Sequence, residues 1–320
     1  RPFFGDICHP LPTLMRDVIN GRSLLQKRII AGSVDFVDLD GETLLIKATR
    51  KGHKNILKNL LLTGANVNFI CEPKSSVKSH AIGEEVLTKT FPLFEAINNS
   101  HLHIVRLLLQ HGAKIDPLKD CQDSNVPTEV RIPFLRAVQK CKESRGNRDR
   151  LDILKELIAH GADINATFGE HDNYPDMNGL HLALFGSLGG TNDSLDLEMT
   201  LIKNKINVWA ESCGRYPIHE LFRWQPEAET TQLDCSIVKE TMKDPIEVSH
   251  VIIEAMGDKS YVASKINKTD DLGRSPLHYA AHCGATICCL LLIERGKFSQ
   301  QLTASLFLIV AALRTDCVIF

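Results

Sequence analysis

Three histidines are the first residues whose type and placement suggest chemistry: His181, His219 and His278 each follow a short Gly or Pro plus aliphatic step, as in Pro217-Ile218-His219 and Pro276-Leu277-His278. Three neutral imidazoles brought to one point would make a zinc site, with metal–nitrogen distances of about 2 Å. His282-Cys283 and Cys288-Cys289 place ligand or nucleophile types side by side. The ten cysteines contain no Cys-x-x-Cys spacing, so a zinc ribbon or a thioredoxin-like redox pair has no support. Gly186-Ser187-Leu188-Gly189-Gly190 lacks the Lys-Ser/Thr that a phosphate-cradling loop requires, and neither a Gly-x-Ser-x-Gly elbow nor His-Glu-x-x-His occurs. Whether any of these groups converge depends on the elements that carry them.

Those elements repeat. From Asp38 the chain reads Asp38, Gly41, Thr43, Leu45, Ala48, Gly52, His53, then Ile56, Leu60-Leu61 and Gly64-Ala65-Asn66-Val67-Asn68. From Asp270 it reads Asp270, Gly273, Ser275-Pro276-Leu277-His278, Ala280-Ala281, Gly284, then Leu291-Leu292-Ile293 and Gly296. Pro at a first helical position lacks only an N–H that would be unpaired there, and Thr or Ser before it can cap the helix. The small Ala pair lets a second helix lie close, and Ile56, Leu60 and Leu61 give that helix one apolar stripe. A Gly after the stripe closes the helix in the left-handed conformation. One such unit cannot bury its own stripe, so units must stack.

This pattern resembles the ankyrin repeat, D-x-x-G-x-T-P-L-H-x-A-A-x-x-G-H followed by a Leu-rich helix and Gly-Ala. The unit at 38 keeps seven of those ten fixed positions and the unit at 270 keeps eight. Weaker copies start at Phe91-Pro92-Leu93, Ile132-Pro133-Phe134, Gly179-Leu180-His181 and Tyr216-Pro217-Ile218. The expectation is a single all-α solenoid over 1–320, built of helix-turn-helix units near 13–37, 38–68, 91–116, 132–165, 176–208, 211–257 and 270–297, with a partial unit at 302–320. Ile56, Ile104, Ile153, Leu197 and Cys288 are expected to form one buried column. In such a stack the three histidines stand on the order of 10 Å apart, too far to share a metal, and read as structural. Adjacent helix residues point in different directions, so the His-Cys and Cys-Cys pairs read as core or surface.

Anchors at Leu45, Leu93, Phe134, Leu180, Ile218 and Leu277 are spaced by 48, 41, 46, 38 and 59 residues, against about 33 for a plain unit. The excess falls at 69–90, 117–131, 142–148 and 225–244, with a further stretch at 187–193, read as polar surface loops. Residues 131–150 carry seven basic groups against two acidic ones, and 225–247 carry six acidic against two basic. These opposite charges could dock partners of opposite sign. They offset within a chain of 37 basic and 39 acidic residues, so the net −2 gives no global reason to expect nucleic acid.

The resemblance implies a non-catalytic protein-binding scaffold with no cofactor and no metal. Its binding positions, carried over unit by unit, are the turn tips and ends of first helices: Asp40, Glu42, Arg50, Lys51, Asn98, Asn99, Gln139, Lys140, Ser212, Arg215, Asp271, Arg274 and His282, with Lys142 and Arg145 from the basic insertion. Scattered cysteines fit a reducing compartment, which points to an intracellular, cytoplasmic chain whose partners are other proteins. No uncharged apolar run of 18 residues exists, so no membrane insertion is expected within this segment. The absent initiator Met and the apolar end at Phe320 read as a fragment. Two alternatives stay open: the cytoplasmic array of a larger membrane protein such as an ion channel, and the recruiting part of a multidomain adaptor or enzyme.

Overall fold

A computed structural model describes residues 34–73, 77–78, 85–86, 89–119, 126, 128–143, 147–169, 175–185, 196–221, 246–257, 262–263, 265–282 and 286–296. The expected partial unit at 302–320, residues 13–33 of the expected first unit, the insertion 225–244 and the stretch 187–193 lie outside the described residues.

The helices fall where the apolar periodicity and caps place them. Thr43 caps α1 (Leu44–Arg50), its Oγ1 accepting from the Ile46 N–H at 3.3 Å. The partner helix α2 is Lys54–Leu62. Next come α3 (Pro92–Asn98), opened by Pro at its first position, and α4 (Leu102–Gln110). A short turn α5 (Thr128–Arg131) precedes α6 (Pro133–Glu143) and α7 (Arg148–Ala159). Then follow α8 (Gly179–Leu184), α9 (Asp196–Lys203), α10 (Pro217–Leu221), α11 (Ile246–Ala255), α12 (Pro276–His282) and α13 (Thr286–Gly296). The only named ladder among the described residues is a two-residue pair inside the first insertion, β1 (Val77–Lys78) with β2 (Glu85–Val86). The all-α repeat architecture expected from the sequence is the one observed.

The chain packs as two compact units, one of residues up to 140 with 147–163, the other of 141–146 with 164 onward. In the first, α1 packs on α3, while α2, α4 and α7 stack in succession. In the second, α8, α10 and α12 form one row and α9, α11 and α13 the other. The expected column is buried: Ile56, Ile104 and Ile153 in the first unit, Leu197 and Cys288 in the second, where α11 contributes Ile252. Leu108 is completely buried, and a Leu in that state contributes about 1.5–3 kcal/mol relative to an exposed one.

Side-chain amides fix the register between neighbours. Asn68 Oδ1 accepts from the Lys114 N–H at 2.7 Å while its Nδ2 donates to the Gly112 carbonyl at 3.2 Å. In the second unit Asn165 Oδ1 accepts from the Asn207 N–H at 2.7 Å, and Asn267 Nδ2 donates to the Gly296 carbonyl at 3.1 Å. The loops closing the second helices need a left-handed residue. Gly64 supplies it at φ 92°, but Lys205 occupies the same place at φ 63°, with the same pair of backbone bonds to the preceding turn.

Two insertions differ from plain surface loops. Cys71 and Thr90 exchange both backbone hydrogen bonds at 2.8 Å, which pinches the 69–90 excursion closed at its base. In the 117–131 insertion, Leu118, Val126, Thr128 and Val130 are buried, because α5 lays its apolar side inward. At 142–148, Lys142 and Glu143 are the last residues of α6, and Asn147 caps α7, which begins at Arg148.

Candidate protein-binding surface

In the first unit the hairpin of Val37 to Thr43 leads straight into α1, and its carboxylates meet the cations of that helix. The Asp38 carboxylate caps its own turn, accepting from the Asp40 and Glu42 N–H groups at 3.0 and 2.9 Å. Lys47 pairs with Asp38 and, at 2.9 Å, with Asp40. Burial alone would lower the Lys47 ammonium, and the two Asp carboxylates reverse that and raise it above its usual range. Lys47 in turn draws Asp40 below the usual carboxylate range.

Arg50 then joins two repeats. Its NH1 and NH2 donate to Glu42 at 3.0 and 2.5 Å, and its Nε and NH2 donate to Glu95 at 3.1 and 3.0 Å. Glu95 and then Glu42 hold the guanidinium well above its ordinary pKa, so it stays charged under all ordinary conditions. Glu95 also accepts from the Thr90 hydroxyl at 2.9 Å and from Asn99 Nδ2 at 3.3 Å. One repeat further, Arg136 donates to Asn98 Oδ1 at 3.0 and 2.7 Å and to Gln139 Oε1 at 3.1 Å. The row formed by the hairpin and first helices is therefore cross-linked before any partner arrives, which lowers the ordering cost of binding.

The second unit builds the same row with aromatic members. Asp270 caps its hairpin by accepting from the Leu272 and Arg274 N–H groups at 3.0 and 2.8 Å, and also accepts from Tyr279 Oη at 2.6 Å and Arg274 NH2 at 2.9 Å. Burial would raise Asp270, but these donors more than offset it and hold the carboxyl far below its usual range. Burial and the Asp270 carboxylate push the Tyr279 hydroxyl up to about 12. Arg215 pairs with the buried Glu220 at 2.7 Å. Lys268 pairs with Glu211 and lies 5.2 Å from the Tyr216 ring centroid, and Trp209 meets that ring edge-on at 5.4 Å.

His181 and His219 act as ties between repeats. His219 Nδ1 accepts from the Tyr216 N–H at 3.0 Å and Nε2 donates to the Lys268 carbonyl at 3.2 Å. His181 Nε2 lies 3.3 Å from the Arg215 carbonyl, and its Nδ1 completes a capping box with Asn178. Burial depresses both imidazoles to about 4, so both are neutral at pH 7. His278 accepts at Nδ1 from the Ser275 N–H at 3.1 Å. The three imidazoles thus have separate hydrogen-bond partners, and no group of three metal-binding side chains exists among the described residues.

The positions expected to bind partners divide accordingly. Asp40, Lys51, Asn99, Asp271 and Arg274 are exposed, and Arg50, Asn98, Gln139, Lys140, Lys142 and Arg215 are half-buried. Glu42 and Ser212 are buried: Glu42 lies under Arg50, and Ser212 Oγ donates to the Pro175 carbonyl at 2.6 Å. His282 ends α12, and its side chain and all of Arg145 lie outside the described residues. Much of the basic segment is engaged in the fold. Arg150 NH1 donates to the Lys140 carbonyl at 2.6 Å, Lys142 sits 4.7 Å from the Phe185 ring centroid, and Arg131 NH2 donates to Thr128 Oγ1 at 3.0 Å. Sequence reasoning passed over Lys47, Glu95 and Tyr279, which occupy one equivalent place in α1, α3 and α12 and could have been found by aligning the residue before each Ala. It also passed over Leu39 and Leu272, which are 91% and 73% exposed at hairpin tips.

Comparison with known proteins agrees with this architecture. A family model described as ankyrin repeats in three copies matches residues 14–119, and a single ankyrin-repeat model matches 272–300. The NF-kappa-B inhibitor cactus of Drosophila yakuba is 26% identical over 132 residues, 41% of this chain and 26% of the relative. The match thus spans about a quarter of that relative's length. The crystal structure of the human ASB11 ankyrin repeat domain superposes with a TM-score of 0.55 at 18% identity, covering 87% of this chain and 96% of that one. No helix among the described residues is long and apolar enough to cross a membrane.

Proposed function

We propose that this chain, an ankyrin-repeat protein, works as a non-catalytic scaffold that holds partner proteins against its hairpin tips and the exposed ends of its first helices, inside the cell. The observation that carries the reading is the pre-formed row. Arg50 joins Glu42 to Glu95, and Arg136 joins Asn98 to Gln139. Asp40, Lys51, Asn99, Asp271 and Arg274 project from such rows into solvent. Rigid polar rows of both signs favour electrostatic complementarity with a protein surface, which gives specificity and a fast approach. Similarity to a relative named as an NF-kappa-B inhibitor supports a protein-binding role.

The test is selection of binders from a displayed library of protein fragments, followed by affinity measurement on variants. Lys51→Glu, Asn99→Arg and Asp271→Lys should weaken selected binders, while Lys155→Glu on the second-helix side should not. Binders indifferent to all three substitutions, or turned over chemically by the chain, would sink the scaffold reading.

A further inference from the structure

The hairpin tips place a large apolar side chain in solvent beside carboxylates, and they do so separately in each compact unit. In the first, Leu39 is 91% exposed and Val37 47% exposed on the hairpin, with Ile70 38% exposed on the neighbouring chain segment. That segment runs close alongside: a Cβ added at Gly41, φ 82°, would stand 2.5 Å from the Glu72 carbonyl oxygen. The tip therefore has a fixed backbone and tolerates no side chain at its Gly. Around it stand Asp38, Asp40, Glu42 and Glu95, paired among the described residues with Lys47 and Arg50, a local net charge of −2 for these six. The Asp40 side chain is 69% exposed. In the second unit Leu272 is 73% exposed next to exposed Asp271, on a hairpin held by the Asp270 cap. Arg274 of that hairpin pairs with Asp270, and Asp271 stands exposed beside that pair. Single exposed apolar residues are ordinary on protein surfaces. Here they recur on the tips of two hairpins, each beside an exposed Asp, and on the first hairpin Val37 and Leu39 are both exposed.

Resting on the scaffold reading above, we propose that these tips recognise a partner segment in which a large apolar residue is flanked by Lys or Arg. The apolar side chain covers Leu39 with Val37, or Leu272, and the flanking cation meets Asp40 or Asp271. Leaving an exposed Leu for a partner's apolar surface provides the affinity, and the surplus carboxylate selects against acidic segments.

A phage-displayed library of random peptides panned on the whole chain supplies the probe, and selected peptides are then synthesised and titrated. The expected result is enrichment of aliphatic or aromatic residues next to Lys or Arg, with affinity falling about tenfold or more on Leu39→Ser or Leu272→Ser and on Asp40→Asn or Asp271→Asn. Circular dichroism should be unchanged, since these side chains contribute little to the core. Enrichment of acidic peptides, or basic-apolar peptides indifferent to all four substitutions, would overturn the assignment while leaving protein binding elsewhere on the scaffold intact. Failure to enrich any peptide would overturn it as well. Self-association in sedimentation velocity that disappears on Leu39→Ser would replace the peptide with a second copy of the chain.

Discussion

Acidification should weaken the second compact unit through two imidazoles in particular. His181 and His219 are fully buried, and burial depresses both to about 4 from an ordinary 6.5. His219 has no acceptor at Nδ1, which already receives the Tyr216 N–H. The folded chain thus holds these protons less well than the unfolded chain. Between about pH 4 and 6.5 unfolding takes up protons, so stability is fully present above 6.5 and falls as the pH drops through that window. Moving from pH 7 to 4.5 removes about 2 to 3 kcal/mol per histidine, and about twice that if the two titrate independently. Urea unfolding across this range, followed by circular dichroism, measures the loss. The same series on His181→Gln with His219→Gln separates it from carboxylate titration, and the double variant should have a much flatter profile. Ring resonances of His181 and His219 that titrate near 6.5 in the folded chain, or an unchanged slope in the double variant, would refute the reasoning.

Three further perturbations test the stack. Leu108→Ala removes a fully buried side chain and should cost about 2–5 kcal/mol in urea unfolding; an unshifted midpoint would mean the register is wrong. Lys205→Gly relieves a left-handed non-glycine residue and should raise the melting temperature, stabilising by about 1 kcal/mol; a drop would show that the Lys205 side chain contributes more than its backbone costs. Arg50→Ala strips Glu42 and Glu95 of their shared guanidinium and should destabilise by about 1–3 kcal/mol; an unchanged thermal melt would remove the cross-link from the account.

What the sequence made legible was local. Pro92, Pro217 and Pro276 marked helix starts because their rings suit a first helical position, and Gly64 marked a helix end by its backbone freedom. Ile56, Ile104 and Ile153 announced their burial by spacing alone. The surface was harder to read because its chemistry is non-local. Arg50 and Glu95 meet across 45 residues, a separation set by an insertion of unpredictable length. Glu42 looked like an exposed tip residue, yet Arg50 covers it. Lys205 hid a helix end because the neighbouring turn supplies the backbone bonds that hold a strained residue in place. The insertion 117–131, rich in polar residues, read as a surface loop, although Val126 and Val130 inside it are buried.

Hydrogen exchange on the chain with and without a selected binder tests the central claim most directly. Protection should rise at the hairpins of residues 37–43 or 270–275 and at the exposed ends of α1 or α12, with α2, α4 and α7 unchanged. Protection confined to those second helices, with the hairpins exchanging as in the free chain, would contradict a scaffold that binds through its tips.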